Sequence, residues 1–168
     1  MITLRKLEDK NEEYIQLHKW CSKEFVYEWF EQRILSYEEI VNKYKNKLEQ
    51  ERQKLFIIQS NNEDIGFAQI YKYNNDLPVE ATPNTYEYDL FIGEGEYLNK
   101  GIGKEVMDIM INKIRDEYKG DSILLRPFKR NIRSIKCCLK CGFKEIYEYL
   151  GKDTLGNPEK YVVLIKEI

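Results

Sequence analysis

The chain has 168 residues, 42% hydrophobic and 33% charged, with a net charge of −2, enough to bury one core and short for two, so a single domain over residues 1–168 is expected. No apolar run approaches the roughly 18 residues that span a bilayer, and no basic-then-apolar leader opens the chain, so it reads as cytoplasmic with no membrane partner. Overall acidity also argues against nucleic acid, whose phosphate backbone needs a cationic footprint.

In chain order, Ile2 to Arg5 reads as a first strand. Asn11 to Trp20 and Tyr37 to Gln50 read as charged amphipathic helices, the second carrying Ile40, Val41, Tyr44 and Leu48 on one face. Leu55 to Gln59 and Asp64 to Tyr73 form a strand pair joined at Asn61-Asn62-Glu63, a tight-turn sequence. Residues 74 to 85, with Pro78 and Pro83, are a loop. Tyr86 to Ile92 is a strand, Lys104 to Tyr118 a long helix, and Ser122 to Leu125 a short buried strand. A helix opens at Asn131, a good N-cap, carries Ile135, Cys138 and Leu139 on one face, and ends at Gly142. Lys144 to Leu150 and Tyr161 to Lys166 close the chain as strands around Gly151 to Pro158. Strands first and a helix-strand-helix unit later make the class mixed α/β or α+β.

The most informative stretch is Asp89-Leu90-Phe91-Ile92-Gly93 followed by Asn99-Lys100-Gly101-Ile102-Gly103-Lys104. A strand that enters a glycine-spaced turn and leaves as a helix puts unpaired backbone N–H groups at a positive helix terminus, where a pyrophosphate is held. A P-loop is excluded because Leu98 stands where its first glycine belongs and Glu105 follows Lys104. A dinucleotide fingerprint is excluded because Val106 replaces its third glycine. What remains is a Gly-x-Gly turn flanked by Lys100 and Lys104, pointing to a phosphorylated cofactor. The four cysteines are Cys21, Cys137, Cys138 and Cys141. Cys138-x-x-Cys141 lacks a second pair, and the single histidine, His18, is far off in sequence, so reduced buried thiols are expected rather than zinc.

Lys100-Gly101-Ile102-Gly103, a helix, a strand, and a helix opening at Asn131 and closing at Gly142-Phe143 together resemble the acetyl-CoA-binding core of the GNAT superfamily of N-acetyltransferases. Ile65-Gly66-Phe67-Ala68-Gln69-Ile70-Tyr71-Lys72 and Asp89-Leu90-Phe91-Ile92-Gly93-Glu94 are similar to segments of its aminoglycoside 6'-N-acetyltransferases. The resemblance implies a mostly antiparallel central sheet, splayed at the cofactor site and flanked by helices. It implies acetyl-CoA as cosubstrate and no metal, with a monomer or homodimer acting on a small-molecule amine. Carried over residue by residue, Asn99, Lys100, Gly101, Ile102, Gly103 and Lys104 would hold the pyrophosphate. Main chain at Phe91 and Ile92 would meet the pantetheine arm, and Asn131, Ser134 and Cys138 would line the rest of the cofactor path. Asp89 would be the base or substrate anchor, with Trp20, Tyr71, Tyr86 and Glu87 beside it in the acceptor cleft.

Charge runs the same way. Tyr73 through Asn99 contains no Lys, Arg or His but holds Asp76, Glu80, Glu87, Asp89, Glu94 and Glu96, an acidic wall for a polycation. From Lys100 to Lys144, twelve basic residues face five acidic ones, the half expected to meet CoA phosphates. Amine acetylation needs a neutral nucleophile, and an aliphatic ammonium near pKa ~10 must first lose a proton to a carboxylate, directly or through one water. Three positions depart from the family pattern. Leu98 replaces a Gln or Arg before the glycine turn, Cys138 replaces a tyrosine proposed to protonate the leaving thiolate, and Arg126 replaces an aspartate before Pro127. A cysteine there is read as filling space beneath the pantetheine. An aminoglycoside is the first expected acceptor, and a siderophore precursor, polyamine or protein N-terminus the alternatives. A non-catalytic CoA sensor is the reading from another class.

Overall fold

A computed structural model describes residues 1–168. Its elements are β1 (Ile2–Lys6), α1 (Asn11–Cys21), α2 (Glu24–Tyr27), α3 (Tyr37–Leu48), β2 (Gln53–Ser60), β3 (Glu63–Lys72) and β4 (Thr85–Ile92). A 3-10 turn at Gly95–Tyr97 leads to α4 (Ile102–Asp116), β5 (Ser122–Leu125), α5 (Ile132–Lys140), β6 (Lys144–Lys152) and β7 (Pro158–Glu167). The strands form one seven-stranded sheet in the order β1-β2-β3-β4-β5-β7-β6. Pairs β1/β2, β5/β7 and β6/β7 are antiparallel, and β4/β5 is parallel.

The local chemistry explains most boundaries. Asn61 and Asn62 carry φ of 50° and 69°, the two consecutive positive φ values of the turn that matches strand twist in a two-residue hairpin. Helix α3 begins at a capping box in which Ser36 Oγ accepts from the Glu39 N–H while the Glu39 carboxylate accepts from the Ser36 N–H. Helix α4 starts two residues before the expected Lys104, because the left-handed turn at Gly101, φ 79°, already aims the chain into the helix at Ile102. It also stops earlier, at Asp116: Lys119 adopts φ 56° and the Gly120 N–H bonds back to the Ile114 carbonyl at 2.9 Å. The closing strands are longer than expected because the Asp153 carboxylate accepts from the Leu155 and Asn157 N–H groups, both at 2.9 Å, and pulls the loop tight. Helix α2 and the 3-10 turn escaped the sequence reading because neither is long enough to show a period.

The chain divides into two compact units, Met1–Gln69 with Asp89–Ile102, and Ile70–Tyr88 with Gly103–Ile168. The first is built on Leu17, Trp20, Ile40, Tyr44, Ile57, Phe67 and Phe91, contributed by α1, α3 and β2–β4. In the second, a smaller cluster of Tyr73, Leu124 and Val163 is covered by Leu77, Val79 and Ala81 of the loop and by Tyr147 and Tyr149. Within the second unit the β4–β5 register spans Thr85↔Ser122 and Tyr86↔Ile123, so β4 carries Glu87 and Tyr88 past its last β5 partner.

Candidate active site

Asp89, half-buried on β4, is held from β3: Gln69 Nε2 donates to Asp89 Oδ2 at 2.7 Å. Gln69 is itself buried, and its Oε1 accepts from Lys47 Nζ of α3, also at 2.7 Å. One turn earlier Lys43 forms an ion pair with Glu31. The Tyr44 ring lies 5.5 Å from the Lys43 ammonium and 6.0 Å from that of Lys47, while its hydroxyl meets Cys21 Sγ at 3.6 Å. Burial first, and then the charge of Lys47, push Lys43 down to about 8 against the opposing pull of Cys21 and Asp89. At that value it is still mostly protonated at neutral pH, and Glu31 favours the same state. Burial also moves Lys47 down, with Asp89 and Cys21 opposing.

Trp20 does not line a cleft. Its side chain is completely buried, packs edge-on to Phe91 with ring centroids 6.3 Å apart, and donates Nε1–H to Glu94 Oε1 at 2.8 Å. The sequence reading placed this tryptophan too far out because a large aromatic on a charged helix reads equally as rim or core. Lys23 completes the Glu94 site, with Nζ 2.9 Å from Oε2 and 2.7 Å from the Gly93 carbonyl. Burial alone would raise the Glu94 carboxyl, but the hydrogen bonds from Lys23 and Trp20 outweigh it and bring it down to about 2. The Phe91 and Ile92 side chains are buried as well, Phe91 against Phe30 and Phe67, so any cofactor contact here falls to the main chain.

The glycine turn fits an anionic ligand. Asn99 and Gly101 both have positive φ, 61° and 79°, and space is open where a Cβ would stand at Gly101 and Gly103, so backbone at the α4 N-terminus can be approached closely. Lys104 pairs with Asp108 one turn on, at 2.6 Å, and Lys100 lies 5.8 Å from the Tyr97 ring. Neither side chain is sequestered from solvent. In α5, Asn131 caps the helix by accepting from the Ser134 N–H at 3.2 Å, so these two residues are first of all a helix start.

Cys138 is almost fully buried, and burial pushes its thiol up to about 12. A thiol that weakly acidic is a poor proton donor, consistent with space filling. Nearby stands a group the sequence reading passed over: Tyr88 of β4, edge-on to Phe143 at 6.4 Å, whose buried hydroxyl has no hydrogen-bond partner. Burial, reinforced by the Cys138 and Cys141 thiols, raises it well above the ordinary phenol range.

Two acceptor-cleft expectations are also revised. Glu87 is 3% exposed and is held by Arg126, whose Nε donates to Oε1 at 2.8 Å while Nη1 reaches Asp76 Oδ2 at 2.8 Å. Burial pulls the Arg126 guanidinium down, but Glu87 and Asp76 more than offset it, so the net shift is upward. Tyr86 is buried under a stacked Tyr118, 6.2 Å away, and its hydroxyl donates to the Tyr118 carbonyl at 3.1 Å. Tyr71 remains partly exposed on β3. The structure thus joins Asp89 to groups that were not singled out, Gln69 and Lys47. A partial signal existed for Lys47 alone: Ile40, Lys43, Tyr44 and Lys47 fall at i, i+3, i+4 and i+7, which puts both lysines on the apolar stripe of α3 without showing what they contact.

Comparison with known proteins converges on one family. Two curated relatives, both aminoglycoside N(6')-acetyltransferases type 1, from Klebsiella pneumoniae and Serratia marcescens, are 24% identical over 150 residues, 85% of this chain and 74% of theirs. The solved structure of aminoglycoside acetyltransferase AAC(6')-Ib with coenzyme A superposes with a TM-score of 0.83 at 22% identity, covering 99% of this chain and 95% of that one. Spermidine N-acetyltransferase from Vibrio cholerae, with CoA and spermine, gives 0.81 at 16% identity, covering 99% and 95%. At these identities the superpositions establish the fold. The pattern defining the acetyltransferase (GNAT) domain matches residues 9–149, most of the chain, and the protein therefore belongs to the GNAT acetyltransferases.

Proposed function

We propose that this acetyltransferase uses acetyl-CoA to acetylate a primary amine of a polycationic small molecule, an aminoglycoside at its 6'-amine being the first choice, by direct attack in a ternary complex. The observation that carries the reading is the held carboxylate: Gln69 Nε2 fixes one oxygen of Asp89 at 2.7 Å on a half-buried strand. A carboxylate so placed takes a proton from an ammonium, directly or through a water, and leaves the amine neutral for attack. Acetyl-CoA supplies the activated acyl group as a thioester. Main-chain groups of the turn at residues 99–104 would grip its diphosphate, and those of Phe91 and Ile92 would orient the pantetheine arm and the reacting carbonyl. Asn131, Ser134 and Cys138 would border the same ligand, Cys138 by packing, and departing thiolate would take its proton from water. Tyr71 would flank the acceptor. No helix is long and apolar enough to cross a membrane, and four free cysteines suit a reducing cytoplasm.

A second reading has its own observation. Arg126 already pairs with Glu87 and Asp76 and offsets one of their two charges, so part of the acidic wall expected from the sequence is spent within the protein. That favours an acceptor with fewer charges, a polyamine or a single amine. Thiol release from acetyl-CoA with kanamycin, spermidine and an amino-terminal peptide as acceptors separates the readings. Turnover with kanamycin at least tenfold above spermidine supports the aminoglycoside; the reverse order supports the smaller amine. Absence of turnover on every primary amine would refute both.

A further inference from the structure

We propose that Lys47 and Gln69 form a two-step relay that orients the Asp89 carboxylate and sets a cation behind it, which makes both of them positioning residues for the proton acceptor. The inference rests on Asp89 as the base but adds residues that neither the motif pattern nor the relatives assign. Its logic is the donor and acceptor inventory. A carboxamide is nearly symmetric in shape, so nothing about packing decides which end of Gln69 faces Asp89. An ammonium decides it, because it has three donors and no acceptor. Lys47 Nζ at 2.7 Å therefore requires Gln69 Oε1, and the amide nitrogen must then point at Asp89 Oδ2, also at 2.7 Å. With the amide reversed, its oxygen would face a carboxylate and its NH2 an ammonium, two repulsive contacts inside a buried setting.

The relay also carries charge. Lys47 sits half-buried on the apolar face of α3, one turn after Lys43, and a cation partly withdrawn from water acts on its neighbours more strongly than one at the surface. The titratable and charged groups facing this corner are Cys21 from α1, Glu31 from the segment after α2, Lys43, Tyr44 and Lys47 from α3, and Asp89 from β4. Lys43 is matched by Glu31, so the uncompensated cation next to Gln69 is Lys47, and its natural counterion is Asp89. Half-burying two lysines on one apolar helix stripe is costly; the relay gives Lys47 a reason to be there. It also suits the reaction, since a proton acceptor must be ionised before the amine arrives.

The test uses the whole protein and one readout that needs no acceptor. In proton–nitrogen correlation spectra the Gln69 side-chain amide, identified by its loss in Gln69→Met, should be shifted from the bulk of glutamine signals. Lys47→Met should return it toward them, whereas Lys47→Gln, a neutral donor, should keep it in place. For activity, with kanamycin and spermidine as the acceptors, Lys47→Met should lower kcat about tenfold, leave KM for acetyl-CoA within about twofold, and move the acid limb of the pH profile to higher pH. Lys47→Gln should move that limb as well, and Lys47→Arg should restore it. A wild-type pH profile together with an unmoved Gln69 signal in Lys47→Met would overturn the relay. If Lys47→Met does not fold, Lys47→Gln decides by its pH profile alone. Should Asp89→Asn keep full turnover while the Gln69 signal still responds to Lys47→Met, the relay stands and the base assignment falls.

Discussion

The two units of this acetyltransferase treat buried polar groups in opposite ways. In the unit containing α1, α3 and Asp89, buried and half-buried charges come in partnered chains: Lys47–Gln69–Asp89, Lys43–Glu31, and Lys23 with Trp20 on Glu94. In the unit containing α4 and α5, the buried polar groups around Cys138 are thiols and a phenol kept neutral by burial, and one of them, Tyr88, has no partner. Charged relays would suit a region that takes a proton from an amine, as proposed for Asp89. A neutral, thiol-lined region would suit packing against an uncharged ligand arm. The exception in the second unit is Arg126 with Glu87, and it is the place to strain the comparison first.

If that pair is a structural clamp, Arg126→Ala should produce the largest stability change of the variants considered. Side-chain exposures of 22% and 4% place the pair largely out of water, and removing the guanidinium takes the counter-charge away from Glu87. Such truncations cost about 3–5 kcal/mol, seen as a lowered urea midpoint. Replacing both, Arg126→Met with Glu87→Met, should recover most of the loss, since an apolar pair needs no counterion. A single variant as stable as the wild type would show that water reaches Glu87 and that the second unit is not the neutral region described.

Asp89→Asn comes next and tests the other side of the contrast. Loss of a general base lowers turnover about a hundredfold or more, equivalent to ~2.7 kcal/mol of barrier, while acetyl-CoA affinity by calorimetry should change little. Equal activity of wild type and variant from pH 6 to 8 would remove Asp89 from the chemistry.

Smaller again is the contribution of Glu94. Its carboxyl is lowered from 4.5 to about 2 in the fold, so it binds its proton more weakly folded than unfolded. The stabilisation is therefore complete above the unfolded value near 4.5 and disappears as pH falls through about 2. Melting temperatures of wild type and Glu94→Gln should differ by a constant amount above pH 5 and converge towards pH 2. A gap independent of pH would mean that Lys23 and Trp20 serve Glu94 by shape alone.

How much of this was legible in the sequence follows from the range over which each signal acts. The Asn61-Asn62 hairpin, the Gly101 turn and the Asn131 cap are local backbone chemistry, and each lies where its residues demanded. The insertion of β7 between β5 and β6 is not local. An antiparallel pair at the end of a chain can add to either side, and only the register Leu125↔Leu164 and Tyr149↔Tyr161 reveals the choice. In the candidate site, Asp89 was singled out by its motif, and its role is the proposal made above. Gln69 and Lys47 were not, because their importance depends on a contact across 22 positions in sequence. Trp20, Tyr86 and Glu87 were misplaced for a shared reason: type and neighbourhood in the chain say that a residue is aromatic or acidic, while its burial is set by partners such as Glu94, Tyr118 and Arg126.

The smallest effect is expected at Cys138, and it bears on the neutral character of the second unit. If the thiol served as an acid for the leaving sulfur, it would have to give up its proton near neutral pH. Burial holds it at about 12 instead, several units above the ~8.5 of an unperturbed thiol, so donating to a thiolate of ordinary basicity would run uphill. Cys138→Ser preserves the size closely and replaces the thiol by a still weaker acid. Turnover should therefore stay within about threefold of wild type, with the change confined to KM for acetyl-CoA, as expected for altered packing. A loss of tenfold or more in kcat, with a limb in the wild-type pH profile that vanishes in the serine variant, would mean that ligand binding brings the thiol into use, and the second unit would then carry proton chemistry of its own.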